Sequence, residues 1–165
     1  MRSWERLPFT QWAEINMASR FISVEPLSGY RVARREDDGY VIWLEPDATD
    51  EALGRALLEA LDRSRFIQPC DEPAFFEHQR NVRCIRNWQK KFMRLYGYES
   101  RRRAHMTMDR CDAARAEGKI SIRPSERGTP ECHTALPPDS AVVFPETRDE
   151  VTVGAAFRLA LDPCV

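Results

Sequence analysis

The sequence predicts an α+β fold: a single domain with a central, mostly antiparallel sheet and amphipathic helices packed against it. Three observations lead there. Short β-rich runs such as K-I-S-I-R alternate between faces and are bounded by turn residues. Two longer segments repeat apolar residues at steps of three and four, the period of one helical stripe. A strand, an acidic turn containing proline and a helix follow one another twice, as expected when helices are layered on a sheet. The 165 residues suffice for one core and suggest one domain over residues 1–165.

Residues 1–20, with Trp4, Phe9 and Trp12 scattered among polar residues, read as a strap or short helix over the core. Residues 21–24 read as a strand, followed by a turn at Pro26–Gly29 and a second strand over residues 30–33. The R-R-E-D-D-G turn and residues 40–44 then complete a hairpin. The helix A-L-G-R-A-L-L-E-A-L-D starts at Asp47 or Thr49, either of which can cap it. Asp50 and Glu51 suit its positive end, and Arg63 and Arg65 its negative end. Leu53, Leu57, Ala60 and Leu61 form its buried stripe.

Residues 72–78 lead into the most distinctive stretch of the chain, residues 81–103, which mixes cations with aromatic rings. Val82, Ile85, Trp88, Phe92 and Leu95 share a stripe, and Gly97 is placed to end the helix. Two readings compete. The rings could grip nucleic acid, or they could fill a core beneath a solvated basic face. Their place on the apolar stripe favours the core, because stacking platforms must stay exposed. Trp88, Phe92 and Leu95 are therefore expected inside, with Lys90 and Arg94 outside. A strand over residues 101–106 and paired strands over 111–115 and 119–123 follow, with Glu117-Gly118 at the turn. Residues 124–138 form a loop rich in proline, residues 141–144 a last strand, and residues 151–161 a final helix.

The last unit echoes an earlier one. A-L-G-R-A-L-L-E-A-L-D aligns with T-V-G-A-A-F-R-L-A-L-D, so Gly54 and Gly154 hold equivalent helix positions. Glycine there costs roughly 1 kcal/mol against alanine, which a close approach of backbones would offset. The intervening segments do not align, so a full internal repeat is not indicated.

Hydrophobic residues at 42% and charged residues at 31% indicate a globular chain rather than a disordered one. The net charge of −1 creates no global field that selects nucleic acid or an anionic membrane. Five cysteines, Cys70, Cys84, Cys111, Cys132 and Cys164, lack framework and zinc spacings and are expected to be reduced in a cytoplasmic protein. The N-terminal M-R-S-W-E-R-L-P has no apolar run, so no signal peptide is expected, nor any membrane partner.

Phosphate loops, G-x-S-x-G and H-E-x-x-H are absent from the sequence. A two-histidine nuclease could be drawn from His105 and His133 with Lys119 or Arg123, but hydrogen-bonded or surface histidines account for the pattern more simply. His78 opens the central helix. Cys132-His133 is a poor nucleophile–base pair, since adjacent side chains rarely face each other. No catalytic residue, metal site or cofactor is expected.

P-D-A-T-D-E-A-L-G-R-A-L-L-E-A-L-D-R-S-R-F, W-Q-K-K-F-M-R-L-Y-G-Y-E-S-R-R-R-A, M-D-R-C, E-G-K-I-S-I-R-P and V-G-A-A-F-R-L-A-L occur in that order. This succession resembles the immunity proteins of bacterial contact-dependent growth inhibition (CdiI). It spans residues 40–164; the first forty residues contribute little, and residues 125–138 depart from the pattern. The resemblance implies a protein that is not an enzyme. Its implied partner is the cognate CdiA C-terminal toxin domain, often a tRNA-directed nuclease, which it neutralises in the cytoplasm without direct contact to nucleic acid. A nuclease presents a basic groove, so acidic groups would speed and specify the encounter. The candidates are Asp37, Asp38, Glu45, Asp47, Asp50, Glu51, Asp71 and Glu72. The alternative is a small RNA-binding protein using the basic helix from Arg80 to Arg103.

Overall fold

The fold is described by a computed structural model covering residues 9–127 and 133–161. An eight-stranded antiparallel sheet is built around β1 (Gln11–Met17), with β2 (Ile22–Gly29) on one side and β5 (Asp109–Ala116) on the other. Two short strands, β3 (Ala33–Arg35) and β4 (Ile42–Leu44), lie end to end along the outer edge of β2. Beyond β5 runs β6 (Lys119–Arg127), whose outer edge carries β7 (His133–Ala135) and β8 (Val142–Pro145) in the same manner.

The strands around this centre depart from the sequence reading. Within the first 20 residues, Gln11–Met17 form β1 rather than a strap or helix, while residues 1–8, with Trp4, lie outside the described residues. Ala13 and Ile15 face one core while Glu14 and Asn16 are buried on the opposite side, so polar burial masks the alternation. No turn interrupts Pro26–Gly29, which belongs to β2. Pro26 pairs with Ala13 on the inner side and stands opposite the gap between β3 and β4 on the outer side, where a missing N–H breaks no ladder. The expected hairpin of residues 30–33 with 40–44 does not form, because β3 and β4 each pair with β2.

Two helices cover the first face. Helix α1 (Asp50–Arg63) is capped by Thr49, whose hydroxyl accepts from the Ala52 N–H, and α4 (Glu150–Leu161) follows β8. Leu53, Leu57, Leu61, Val153 and Phe157 pack onto Ile15, Val24, Cys111, Ile120 and Ile122 of the sheet. The helices cross at the two glycines. A Cβ on Gly54 would lie 1.7 Å from the Glu150 carbonyl oxygen, and one on Gly154 would lie 1.7 Å from that of Asp50. Each glycine thus meets the first residue of the opposite helix, which is the close approach that the aligned sequences required.

On the second face, α2 (His78–Tyr96) follows a 3-10 turn at Pro73–Phe76 and ends at Gly97 with φ 66. Trp88 and Phe92 enter an aromatic core with Phe21, whose ring centroid lies 5.3 Å from those of both Trp43 and Phe92 and 4.9 Å from that of Tyr96. Leu95 is exposed, contrary to expectation, because the helix reaches its end with Tyr96 turned inward instead. Residues 101–106 form α3 (Arg101–Met106) rather than a strand. The Ser100 hydroxyl accepts from the Arg103 N–H, and this cap decides the helix where the R-R-R run is neutral. Residues 124–138 are likewise not all loop. Pairing of β6 with β7 orders Ser125 opposite Ala135, and a 3-10 turn occupies Pro138–Ser140.

Candidate interaction surface

Two of the three histidines are engaged in the architecture. His78 is exposed at the start of α2. His105 is buried on α3, its Nε2 lying 3.2 Å from Gln89 Nε2, and His133 Nε2 lies 3.0 Å from the Met108 carbonyl. Cys132 is outside the described residues. Among the described residues, no three His, Cys, Asp or Glu side chains are grouped as metal ligands.

A charge cluster lies buried on the second face of the sheet. Glu14 and Glu25 are cross-strand partners, and both are almost fully buried. Arg35 bonds both carboxylates, its contacts with Glu25 measuring 2.9 Å. Arg110 reaches Glu14 at 3.0 Å, and the Arg35 guanidinium lies 4.7 Å from the centre of the Trp88 ring. Burial pushes Glu25 up to about 7, and the Glu14 charge adds to this against the pull of Arg35. Burial opposes ionisation of Glu14 as well, but Arg110, Arg35 and a hydrogen bond from Asn16 hold it down to about 2. Two adjacent buried carboxyls are thereby driven in opposite directions. The cluster supports the sheet beneath α2, with Glu14, Glu25 and Arg35 largely buried and Arg110 only partly so.

The eight acidic candidates fall into three groups. Asp37, Asp71 and Glu72 line one groove, together with Glu77, Phe75, Arg80 and Arg83, while Asp37 and Asp38 line a second with Glu36, Tyr40, Arg63 and Arg65. Asp37 is the ridge between the two. It is held by the buried Arg80 at 3.0 Å and the exposed Arg83 at 3.8 Å, and Arg80 lies 3.9 Å from the Phe75 ring centre. Asp38 accepts a bond from the Tyr40 N–H at 3.0 Å, and Glu72 pairs loosely with Arg65 at 3.4 Å. Asp71 is exposed. The second group is Glu45 and Asp47, exposed on the loop between β4 and α1. The third is Asp50 and Glu51, occupied respectively by Arg158 of α4 and by Arg55 at 3.0 Å.

Sequence reasoning missed Glu36 and Glu77, which line the same grooves. Glu36 adjoins Asp37-Asp38 in the sequence. Glu77 is the residue before α2 and makes no side-chain cap, so it was recoverable as a helix-start acid. Burial would raise the Glu36 carboxyl, but hydrogen bonds from Arg65 and Ser28 outweigh it and hold it below the usual range. The two grooves are lined by six carboxylates and four guanidiniums. Glu36 and Asp37 are tied down within the fold, while Asp38, Asp71 and Glu77 have no ion pair among the described residues.

An antiparallel sheet thus carries paired helices on one face and a basic helix on the other, with two adjoining grooves around Asp37. The chain belongs to the CDI immunity protein family, CdiI, whose model matches residues 11–164. That match begins at the first residue of β1, so the N-terminal strands share in a likeness that the sequence motifs alone placed after residue 40. Over 167 residues the chain is 30% identical to Immunity protein CdiI-YPIII of Yersinia pseudotuberculosis serotype O:3 (strain YPIII), covering 93% of this chain and 94% of that protein. It also superposes on a chain of the CdiA-CT/CdiI toxin and immunity complex from Yersinia pseudotuberculosis, with a TM-score of 0.87, 28% identity and coverage of 95% of this chain and 98% of that one. A protein of unknown function from Neisseria meningitidis matches with the same TM-score, 25% identity and coverage of 95% and 96%.

Proposed function

We propose that this chain is an immunity protein that binds the C-terminal toxin domain of a cognate CdiA effector, inside the cytoplasm, and neutralises it without performing catalysis. The observation that carries the reading is the family match over residues 11–164, supported by the likeness to a chain of a toxin and immunity complex. The toxin is taken to be a nuclease, whose basic substrate groove would meet acidic side chains of its inhibitor.

The double groove around Asp37 supports a docking place for such a toxin. Asp38, Asp71 and Glu77 are free to pair with its lysines and arginines, while the exposed Pro73 and Ala74 and the half-buried Tyr40 supply apolar surface between them. Asp50 and Glu51 are poorer candidates than sequence suggested, because each already holds an arginine of this chain. Glu45 and Asp47 form a second acidic edge.

Co-purification with the toxin domain encoded beside this chain, together with a growth-protection assay, tests the function. Protection against that toxin and not against unrelated ones is expected; failure to bind or protect removes the immunity reading. Reversal of Asp38, Asp71 and Glu77 to lysine should slow association and flatten its dependence on salt near 0.15 M, where charges act over about 8 Å. An unchanged association rate would discard this surface and leave immunity standing.

A further inference from the structure

Helix α2 holds 19 residues and not one carboxylate. Elsewhere on this chain, three exposed helical arginines pair with an acid four residues upstream: Glu51 for Arg55, Glu59 for Arg63 and Glu99 for Arg103. Arg86, Lys90 and Arg94 break that habit. Each stands four residues from the next, so like charges face each other along the helix, an arrangement that weakens the isolated helix. All three are exposed, and none has an ion-pair partner among the described residues. They lie about 200° around the helix from Cys84, Trp88 and Phe92 respectively, which places them opposite the buried stripe. That packing fixes the helix and therefore the cations.

Two cations of α3 flank α2. Arg101 donates to Gln89 Oε1 at 3.2 Å, tying the start of α3 to the middle of α2, and the neighbouring Arg102 is exposed. The whole molecule carries a net charge of −1, so this is a local concentration opposed to the acidic grooves and not a general basic character.

We propose that the outer face of α2, flanked by the exposed arginines of α3, is a binding surface for the phosphodiester backbone of RNA. Charge complementarity is the argument. Successive cations of the stripe are about 6 Å apart along a straight line, suited to a linear array of anions. A protein partner would seek an aromatic anchor at the centre of its contact. The rings of α2, Trp88 and Phe92 buried and Tyr96 packed against them, belong to the aromatic core. The same burial removes base stacking, so the contact is sequence-independent and rests on release of counterions from phosphates.

The test uses the full chain without toxin, so its outcome is separate from that of the immunity reading. Fluorescence anisotropy would follow binding of a labelled single-stranded oligouridylate at rising salt. With three or four phosphates neutralised, affinity should fall roughly 20- to 50-fold between 50 and 200 mM salt. The triple variant Arg86→Gln, Lys90→Gln, Arg94→Gln should lose binding while keeping its thermal transition, which shows that it folds. Asp38→Lys with Asp71→Lys, on the other side of the charge asymmetry, should leave RNA affinity at least as high. No binding at 50 mM salt, or equal binding by the triple variant, overturns the proposal. So does a triple variant that keeps RNA affinity but loses affinity for the toxin domain, an outcome that would make α2 a protein-docking face.

Discussion

The crossing of α1 and α4 offers a test in which local and tertiary effects have opposite signs. Gly54→Ala improves helix propensity by roughly 1 kcal/mol. In the fold, the new Cβ would stand 1.7 Å from the Glu150 carbonyl oxygen, with the Glu150 Cα at 2.9 Å. Reaching a contact of about 3.5 Å requires the helices to part by roughly 2 Å, loosening dispersion contacts among Leu53, Leu57, Val153 and Phe157. Overpacking of this kind costs about 1–3 kcal/mol or more, and the obstacle here is backbone rather than a flexible side chain. The expected net effect is a destabilisation of about 2 kcal/mol, or a fall in Tm of roughly 4–8 °C for a chain of this size. Urea and thermal unfolding of Gly54→Ala, Gly154→Ala and the double variant measure it. The contacts are reciprocal at one crossing, so the second substitution should enter space already opened and cost about 1 kcal/mol less than the first. A Gly54→Ala protein more stable than the parent would refute the close approach, since propensity alone predicts that result.

Trp88→Ala should cost about 3–5 kcal/mol in urea unfolding, because it empties the aromatic core beneath α2 and uncovers Arg35; an unchanged transition would return Trp88 to the surface. The buried carboxyl pair should make stability depend on pH. The folded-state value of Glu25 is raised to about 7 from the ordinary 4.5, so its contribution is fully present below pH 4.5 and is lost as pH rises through 7. Glu14, depressed to about 2, works the other way, its contribution present above pH 4.5 and lost as pH falls towards 2. Glu25→Gln should therefore abolish the decline between pH 4.5 and 7 in a series of urea titrations, and a persistent decline would assign it to another group. Thiol titration should find Cys70 reactive in the native protein, and Cys84 and Cys111 reactive only on unfolding; rapid native labelling of Cys111 would contradict its place between the sheet and α4.

What the sequence determined by itself is whatever short-range chemistry decides. The α1 stripe, the Gly97 stop of α2, and the β5–β6 hairpin turning at Glu117-Gly118 all follow from periodicity and backbone preference, and the structure chose Thr49 over Asp47 as the α1 cap. So does the equivalence of Gly54 and Gly154, visible in the alignment of two short segments. The ordered motifs were enough to indicate the family. Tertiary structure alone decided the rest, because those outcomes depend on partners remote in sequence. β1 became the central strand because Glu14 finds Arg35 and Arg110, cations 21 and 96 residues away, which make a polar sheet face buriable. Pro26 is admitted to β2 by the gap between β3 and β4 on its outer edge. The double groove likewise required the β3–β4 loop, the segment around Asp71 and the start of α2 to converge on Asp37. Each of those stretches reads in isolation as a solvated turn or a helix start, and only folding decides which acids are tied to arginines of this chain and which remain free to meet another protein.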